Sequence, residues 1–589
     1  MYQPAGFSLE IFTKRHALHA QETWRGGCAR VGHCVSMAES GPDVDRYRES
    51  FVELLESNRF MPGGRIWYGA GRSKGQLLNC FVVPTGDSRE GWGRSTSDLM
   101  IISGTGGGVG MNFSPIRPRN SIIHGTGGTA TGAVSLMRIK NAVGEELKAG
   151  GGRRVAMMHA LGLSHPDLEE FLDAKLDKRQ LNNANVSVIF DEDPEAFFQK
   201  VRNGEDWDLR FGGKVHKRVS ARAIWERIVA NALGDGTEKN PGGEPGLLNG
   251  YFANKMSNVW YYAPLLCTNP CGEIWLPAYD CCDLGALVLP RFVRGDSLDW
   301  QALSETIALS VRFLDDVLTV NNYPLTEIKE VATSSRRIGL GVMGLDTMLK
   351  MLGYRYDSVA ALEFVDKLMN TIKVRAYEAS IDLAREKGPF ARFDAEKFLR
   401  SGFCKTLKPS LRERIRKDGI RNCALLTIAP TGTTAMICDV DSGIEPSFGP
   451  GHVRKFRDGD DLKSEIVIHP LFQKMVEEGR DTSHFVSGFD MGLRDHFEMQ
   501  RVCQRHLDNA CAKTINLRPG TNAAQLSDLY QEFFPELKGV TVYPDQSRED
   551  QPINPISIEQ ARAHVQARLA SGSGPLSADA CRLDGGGCG

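Results

Sequence analysis

Between about residue 220 and residue 545, long helical stretches alternate with short apolar runs. Residues 303–321 and 360–387 read as helices, and residues 338–344 and 425–428 as short buried runs. That alternation predicts an α/β architecture with many parallel strands. Upstream, residues 1–60 read as helical. In residues 46–58, Phe51, Leu54 and Leu55 fall at helical spacing, and Phe60-Met61-Pro62-Gly63-Gly64 breaks the pattern. Residues 77–83 (LLNCFVV) read as a buried strand and residues 104–110 (GTGGGVG) as a glycine-rich turn. One long helix is expected over residues 131–148, stopped by the glycines at 150–152 and followed by a basic loop at Arg153 and Arg154. Beyond about 545 the chain turns polar. A flexible tail is expected over residues 546–589, with a short helix at 556–570.

The chain has 589 residues, 41% hydrophobic and 24% charged, with a formal net charge of −2. That length is enough for a large core. The charge gives no general attraction to nucleic acid or to a membrane surface. No run of 18 apolar residues and no signal-type apolar segment occurs, so the chain reads as cytoplasmic. The 14 cysteines then read as reduced or redox-active thiols rather than as a disulfide framework. No C-x-x-C pair is present, which argues against a zinc ribbon, and no metal site built from protein ligands is expected. The pair His16 and His19 reads as a surface pair on an N-terminal helix.

One short segment concentrates unusual chemistry. Asn269-Pro270-Cys271-Gly272-Glu273 places an amide, a thiol and a carboxylate at alternate positions, and Cys282 follows eleven residues after Cys271. In an extended segment, alternation would put all three side chains on one side. Together they offer a hydrogen-bonding group, a sulfur that can lose a hydrogen atom, and a base.

Two glycine-containing segments could face phosphates. Pro430-Thr431-Gly432-Thr433-Thr434 follows the apolar run at 425–428, and a helix opening there would aim N–H groups and hydroxyls at an anion. The same residues also fit an ordinary capped helix start. Residues 104–110 match neither a Walker A loop nor G-x-G-x-x-G, and a tight turn explains them equally well.

Taken in order over roughly residues 20–550, these motifs resemble ribonucleotide reductase, and most closely its adenosylcobalamin-dependent class II. The resemblance rests on FMPGGRIWYGAG at 60–71, Asn79-Cys80-Phe81-Val82, GGVGMNFSPIRP at 107–118, and residues 127–137, 151–154 and 165–167. It continues through Asn269 to Glu273, RRIGLGVMG at 336–344, Pro430 to Thr434, SGIEP at 442–446, Lys513-Thr514-Ile515-Asn516 and KGVTVY at 538–543. It implies a ten-stranded α/β barrel over residues 61–545 with an inserted finger loop, an N-terminal helical segment at 1–60 and a flexible redox tail at 546–589.

The resemblance also implies roles. Cys271 would carry a thiyl radical that abstracts the 3′ hydrogen of a ribonucleotide. Glu273 would be the general base at the 3′ hydroxyl, and Asn269 would hydrogen-bond the sugar. Cys80 and Cys282 would supply two electrons and close a disulfide. Cys281 is a neighbour that matches no family role. Asn79, Gly108, Pro430, Thr431, Gly432, Thr433 and Thr434 would bind substrate. Asp87, Ser88 and Arg117 would hold a deoxynucleotide or ATP specificity effector, with Arg153 and Arg154 in the loop that passes the signal on. Cys581 and Cys588 would shuttle electrons from a thioredoxin- or glutaredoxin-like dithiol reductant, and helix 131–148 resembles a homodimer interface.

For the radical source, no adjacent tyrosine pair stands near the C-terminus, as a class I catalytic subunit would need. Tyr261-Tyr262 lies upstream of the finger loop instead. No glycyl-radical motif ends the chain. Adenosylcobalamin is therefore the expected cofactor, although the D-x-H-x-x-G motif is absent. The alternative is a class I-type subunit that takes its radical from a separate metal protein. A non-catalytic nucleotide-binding relative is a third reading, and the intact Cys80, Asn269, Cys271, Glu273 and Cys282 set argues against it. The overall-activity ATP cone is expected to be missing, so dATP should not shut down reduction of all substrates.

Overall fold

The computed structural model describes residues 2–149, 153–176, 180–235, 237, 240–447, 449–458, 461–488, 490–518, 520–544 and 553–570. Its centre is a ten-stranded sheet that wraps into a barrel of two parallel halves. In the first half, strands Cys80–Val82, Gly108–Asn112, Met157–Gly162, Ala184–Ile189 and Gly246–Leu248 lie side by side and parallel. In the second, Cys281–Val288 runs parallel to Ile338–Met343, and Thr514–Leu517 to Gly539–Pro544. Single bridges from Leu340 to Leu426 and from Ile428 to Cys511 join these two pairs. The halves meet antiparallel at two seams. Cys80 and Phe81 oppose Cys282 and Cys281, and Leu247 and Leu248 oppose Val540 and Gly539.

Strands covered on both faces are apolar almost throughout. Cys281–Val288 and Ile338–Met343 are buried along their whole length. Helices form the outer layer. In Trp300–Val320 the buried Leu303, Ile307, Val311, Leu314 and Leu318 recur every three to four residues along one stripe. Val359–Lys387 packs against it. Behind the Cys282 strand, Asp315 is buried between Arg336 at 2.7 Å and Arg421 at 3.2 Å, and these two guanidinium groups hold its carboxyl below the usual range despite burial.

The expected parallel-strand architecture is present, with differences that have local causes. Residues 425–428 form isolated bridges rather than a regular strand. The glycine-rich run divides: helix Arg89–Gly104 ends there, and Gly108–Asn112 is a strand rather than a turn. The long helix is shorter than expected, Ala133–Glu146, and the basic loop contributes Arg153–Arg154 as a short strand paired with Lys148–Ala149. His16 is not on the surface. It is fully buried, with Nε2 3.3 Å from the Thr433 hydroxyl.

The N-terminal segment is helical as read, with helices Gly6–Arg15, Trp24–Ser36 and Asp43–Glu56. Trp24 stacks on Trp67 of the following segment at 4.9 Å. The segment from residue 546, expected to be a flexible tail apart from a short helix at 556–570, contains an unforeseen strand, Ile553–Pro555, paired with Gly451–Asp458. It also contains a helix, Ile558–Ala570, whose Ala561 and Val565 pack on Phe472 and Met475. Ala561 and Val565, one helical turn apart, meet an apolar partner elsewhere in the chain, and burial there outweighs the chain entropy lost. Cys581 and Cys588 lie outside the described residues. Among those described, no helix is long and apolar enough to cross a membrane.

Candidate active site

The finger loop enters the barrel as a short antiparallel pair, Cys267–Thr268 with Trp275–Leu276. Its tip is a turn, not the extended segment that alternation suggested. The Gly272 N–H donates to Asn269 O at 3.1 Å, and the Asn269 N–H donates to Ile274 O at 3.1 Å. Pro270 restricts φ at the second turn position, and Gly272 takes φ +84, which an L side chain rarely adopts. The consequence is a division of labour. Asn269 and Glu273 are buried flanks, and Cys271 is exposed at the tip.

Two glycines in the first half of the barrel make room for the loop. A Cβ on Gly110 would fall 1.8 Å from Thr268 O, and one on Gly108 would fall 2.9 Å from Pro270 Cγ. The glycine run therefore serves close backbone approach, and this explains Gly108 without a phosphate. The loop is tied on both sides. Asn112 Nδ2 donates to Leu266 O at 3.1 Å, and Asn185 Nδ2 donates to Pro270 O at 2.8 Å, both from the first half. From the second half, the Thr427 hydroxyl lies 2.8 Å from Glu273 O, and the Ala510 N–H donates to the same oxygen at 2.9 Å. Asn185 and Thr427 were not legible as site residues. Asn185 shares its strand with Ser187 and Thr427 stands in the bridged run 425–428, so neither is singled out by its neighbours, and only the fold brings it to the loop.

Cys80 and Cys282 are direct cross-strand partners at the seam. Opposed residues in antiparallel strands have Cα atoms about 4.5–5.5 Å apart, inside the roughly 4.4–6.8 Å that a disulfide spans. Both are free thiols. Strand alternation settles which of the adjacent cysteines belongs here. Cys282 joins Cys80, Ile274 and Trp275 in the barrel interior, whereas Cys281 packs in the outer core.

The loop and the thiol pair touch. Asn269 Nδ2 lies 3.2 Å from Cys80 Sγ, and Glu273 Oε1 lies 3.8 Å from the same sulfur. Glu273 Oε2 and Asn79 Oδ1 are buried without a hydrogen-bond partner, a costly arrangement for a folded chain unless a ligand completes it. Burial raises the Glu273 carboxyl from 4.5 to about 7, while hydrogen bonds from Asn269 and Cys80 oppose the rise. Burial also pushes the Cys80 and Cys282 thiols well up, with the negative charge of Glu273 adding to the rise at Cys80 and that of Asp283 at Cys282. Cys271 is raised too, by burial and then by Glu273. All three sulfurs are therefore held as S–H at neutral pH, as hydrogen-atom chemistry requires; nucleophilic or metal-binding cysteines need the opposite shift.

The antiparallel halves bring the starts of the Cys80 and Gly108 strands to the same end of the barrel as the end of residues 425–428. Pro430 to Thr434 therefore borders the mouth that holds Asn79. Thr431 is a structural hub there: its N–H donates to Ser442 Oγ at 3.0 Å, and its hydroxyl accepts from Gly443 N at 3.1 Å. Gly432 has φ +43 and faces open space. The helix that follows, Gly432–Cys438, is braced by the N-terminal segment through Ser8 Oγ on Met436 O at 2.9 Å and Tyr2 OH on Ile437 O.

At the other end of the first half, Asp87, Ser88 and Arg117 come together. Arg117 donates to Asp87 through its N–H at 3.0 Å and its Nε at 2.9 Å, and Ser88 caps helix Arg89–Gly104 by accepting from Gly91 N at 2.9 Å. The Lys148–Ala149 strand paired with Arg153–Arg154 contacts that same helix. Among the described residues, no group of three or more His, Cys, Asp or Glu could hold a metal ion.

The family model for the barrel domain of ribonucleotide reductase matches residues 78–543, from just before Cys80 to the last barrel strand. The chain belongs to the ribonucleotide reductase family. Within it, the chain is 33% identical over 539 residues to a vitamin B12-dependent ribonucleoside-diphosphate reductase of Thermoplasma acidophilum, covering 86% of this chain and 66% of that protein. A Mycobacterium tuberculosis protein of the same description is 32% identical over 603 residues, covering 96% of this chain and 83% of the relative. A ribonucleoside-diphosphate reductase subunit alpha of Chlamydia muridarum is 28% identical over 532 residues, and the match spans 49% of its length.

Proposed function

We propose that this chain reduces ribonucleotides to 2′-deoxyribonucleotides through a thiyl radical at Cys271. The observation that carries the reading is the contact of a loop-tip cysteine, through Asn269 and Glu273, with a facing pair of free thiols across a barrel seam. Cys271 S• would take the 3′ hydrogen of the ribose. Glu273 would accept the 3′-hydroxyl proton, and Asn269 would hold the sugar. The 2′ hydroxyl would leave as water, taking a proton from the Cys80–Cys282 pair. That pair would also deliver a hydrogen to C2′, giving up two electrons in all as it forms a disulfide; Glu273 would return its proton to the 3′ oxygen, and the 3′ hydrogen would return from Cys271. Asn79, Gly108 and residues Pro430 to Thr434 would border the bound nucleotide. Asp87, Ser88, Arg117, Arg153 and Arg154 would form the route of a deoxynucleotide effector. Cys581 and Cys588 would return electrons from a thioredoxin-like dithiol to the disulfide.

The vitamin B12-dependent relatives favour adenosylcobalamin as radical source and diphosphates as substrates. The site fits such a cofactor. Cys271 is exposed and a Cβ on Gly272 would meet nothing within 4 Å, so Cys271 and Gly272 would face it. When bound, adenosylcobalamin supplies an adenosyl radical that can oxidise a thiol. The test is turnover by the purified chain with adenosylcobalamin and dithiothreitol, with diphosphate and triphosphate substrates in parallel. Turnover without a second protein supports the reading. Turnover only with an added metal-containing subunit would support the class I-type alternative.

A further inference from the structure

The contacts around the loop tip come from opposite halves of the barrel. On the descending arm, the Pro270 carbonyl accepts from Asn185 of strand Ala184–Ile189 at 2.8 Å. On the ascending arm, the Glu273 carbonyl accepts from Ala510 N at 2.9 Å and faces the Thr427 hydroxyl at 2.8 Å. The same hydroxyl lies 3.0 Å from Ala510 O; its single proton serves one oxygen at a time, and Glu273 O is the nearer. Thr427 is fully buried, and Gly341 opposite must lack a Cβ, which would fall 2.3 Å from Thr427 O. Pro270 has no N–H, so its carbonyl is the one backbone group through which that residue can be held. Between the two held carbonyls stand only Cys271, Gly272 and the Glu273 side chain.

Resting on the reading above, we propose that Asn185 and Thr427 are positioning residues for hydrogen-atom transfer, a two-sided clamp that fixes the Cys271 sulfur against the substrate sugar. Neither touches the reacting atoms in this scheme. Each acts through the loop backbone, one on either side of the cysteine. A hydrogen-atom transfer depends steeply on approach distance, and a displacement near 1 Å can cost about a hundredfold in rate. Without the Thr427 hydroxyl the ascending arm keeps only the Ala510 N–H, and without Asn185 the descending arm loses its hold on the Pro270 carbonyl, so either change leaves the tip less firmly held.

The experiment uses the full chain with Thr427→Val, Thr427→Ser and Asn185→Ala. Thr427→Val keeps the shape and removes the hydroxyl, and Thr427→Ser restores it. Asn185 is exposed, so its truncation keeps the proposal testable if the buried valine variant fails to fold. Two readouts are taken. The first is site-resolved alkylation of Cys271 by iodoacetamide, read by peptide mass spectrometry without cofactor or substrate. It is expected to speed up several-fold in Thr427→Val and Asn185→Ala and to stay near wild type in Thr427→Ser. The second is steady-state turnover with 3′-deuterated and unlabelled substrate. In the two clamp variants, kcat should fall about tenfold at nearly constant KM, with a larger 3′-deuterium isotope effect. Wild-type alkylation and an unchanged isotope effect in both variants would overturn the clamp. So would a loss confined to substrate affinity. If the wild-type chain does not turn over at all, the reductase reading fails, and the alkylation rates still decide whether the clamp exists.

Discussion

The finger-loop seam and the Asp87–Arg117 corner are both polar sites in one barrel, and they handle their polar groups in opposite ways. At the seam, Glu273 and Asn79 carry buried oxygens with no partner, and the Glu273 carboxyl rises to about 7. At the corner, Asp87 and Arg117 satisfy each other and remain about a third exposed. The seam stores its chemistry as unmet hydrogen-bonding capacity, so a substrate sugar would relieve a cost already present in the fold. The corner is complete in the free chain, and an effector there must compete with an ion pair that water also stabilises. The first design suits tight transition-state contact, and the second suits a reversible signal.

Four substitutions probe that contrast. Cys271→Ser should give the largest effect, loss of all turnover with nucleotide binding retained, measured by product formation and by equilibrium binding. Full activity in that variant would remove the seam from the mechanism. Cys282→Ser should come next. Cys80 would have no thiol partner, so multiple turnover should cease with thioredoxin and with small dithiols alike, whereas the same change at Cys281 in the outer core should be tolerated. Comparable losses at both positions would mean that the seam pairing is not what matters.

Glu273→Gln tests the charge itself. As a base, Glu273 must be ionised, so kcat/KM should rise with pH around 7 in the wild type, and the variant should lose that limb together with most activity. The stability effect has a definite sign. The folded carboxyl titrates near 7 and the unfolded one near 4.5, so the native state holds more protons between those values. Stability therefore falls as pH rises from about 4.5 to about 7 and is level above, by up to about 3 kcal/mol. Glu273→Gln should remove this slope, so denaturant melts at pH 5 and pH 8 should differ less in the variant. An equal slope in both proteins would show that Glu273 is not the group that burial perturbs.

The smallest effect is expected at the corner. The Asp87–Arg117 pair is partly exposed, so Asp87→Ala should cost less than about 1 kcal/mol and move the melting temperature little. Its readout is substrate choice: under the proposed effector route, any shift in preference among bases that an added deoxynucleotide produces should weaken. A full effector response in Asp87→Ala would detach the corner from regulation.

Much of the site was legible because its chemistry is local. Asn269, Cys271 and Glu273 stand within five residues, and Pro270 and Gly272 announce a tight tip. Cys80 sits in an apolar run that is indeed a buried strand. The reading of the tip as extended failed because hydrogen bonds across the turn, from Gly272 to Asn269 and from Asn269 to Ile274, outweigh simple alternation. The short helix expected at 556–570 is present as Ile558–Ala570; what the tail reading missed is the strand Ile553–Pro555 and the packing of Ala561 and Val565 on Phe472 and Met475, nearly a hundred residues away. His16 was misjudged for the same reason: its neighbour Thr433 lies 417 positions along the chain.

By itself, the sequence determined the alternating α/β pattern and the thiol–amide–carboxylate loop. These are properties of spacing, side-chain chemistry and permitted φ. Only the tertiary structure decided that Cys80 and Cys282 stand directly opposite each other, that the glycines serve loop entry, and that Asn185 and Thr427 grip the loop from opposite halves. Those outcomes depend on strand register and on the antiparallel joining of two parallel halves, long-range pairings that no local spacing encodes.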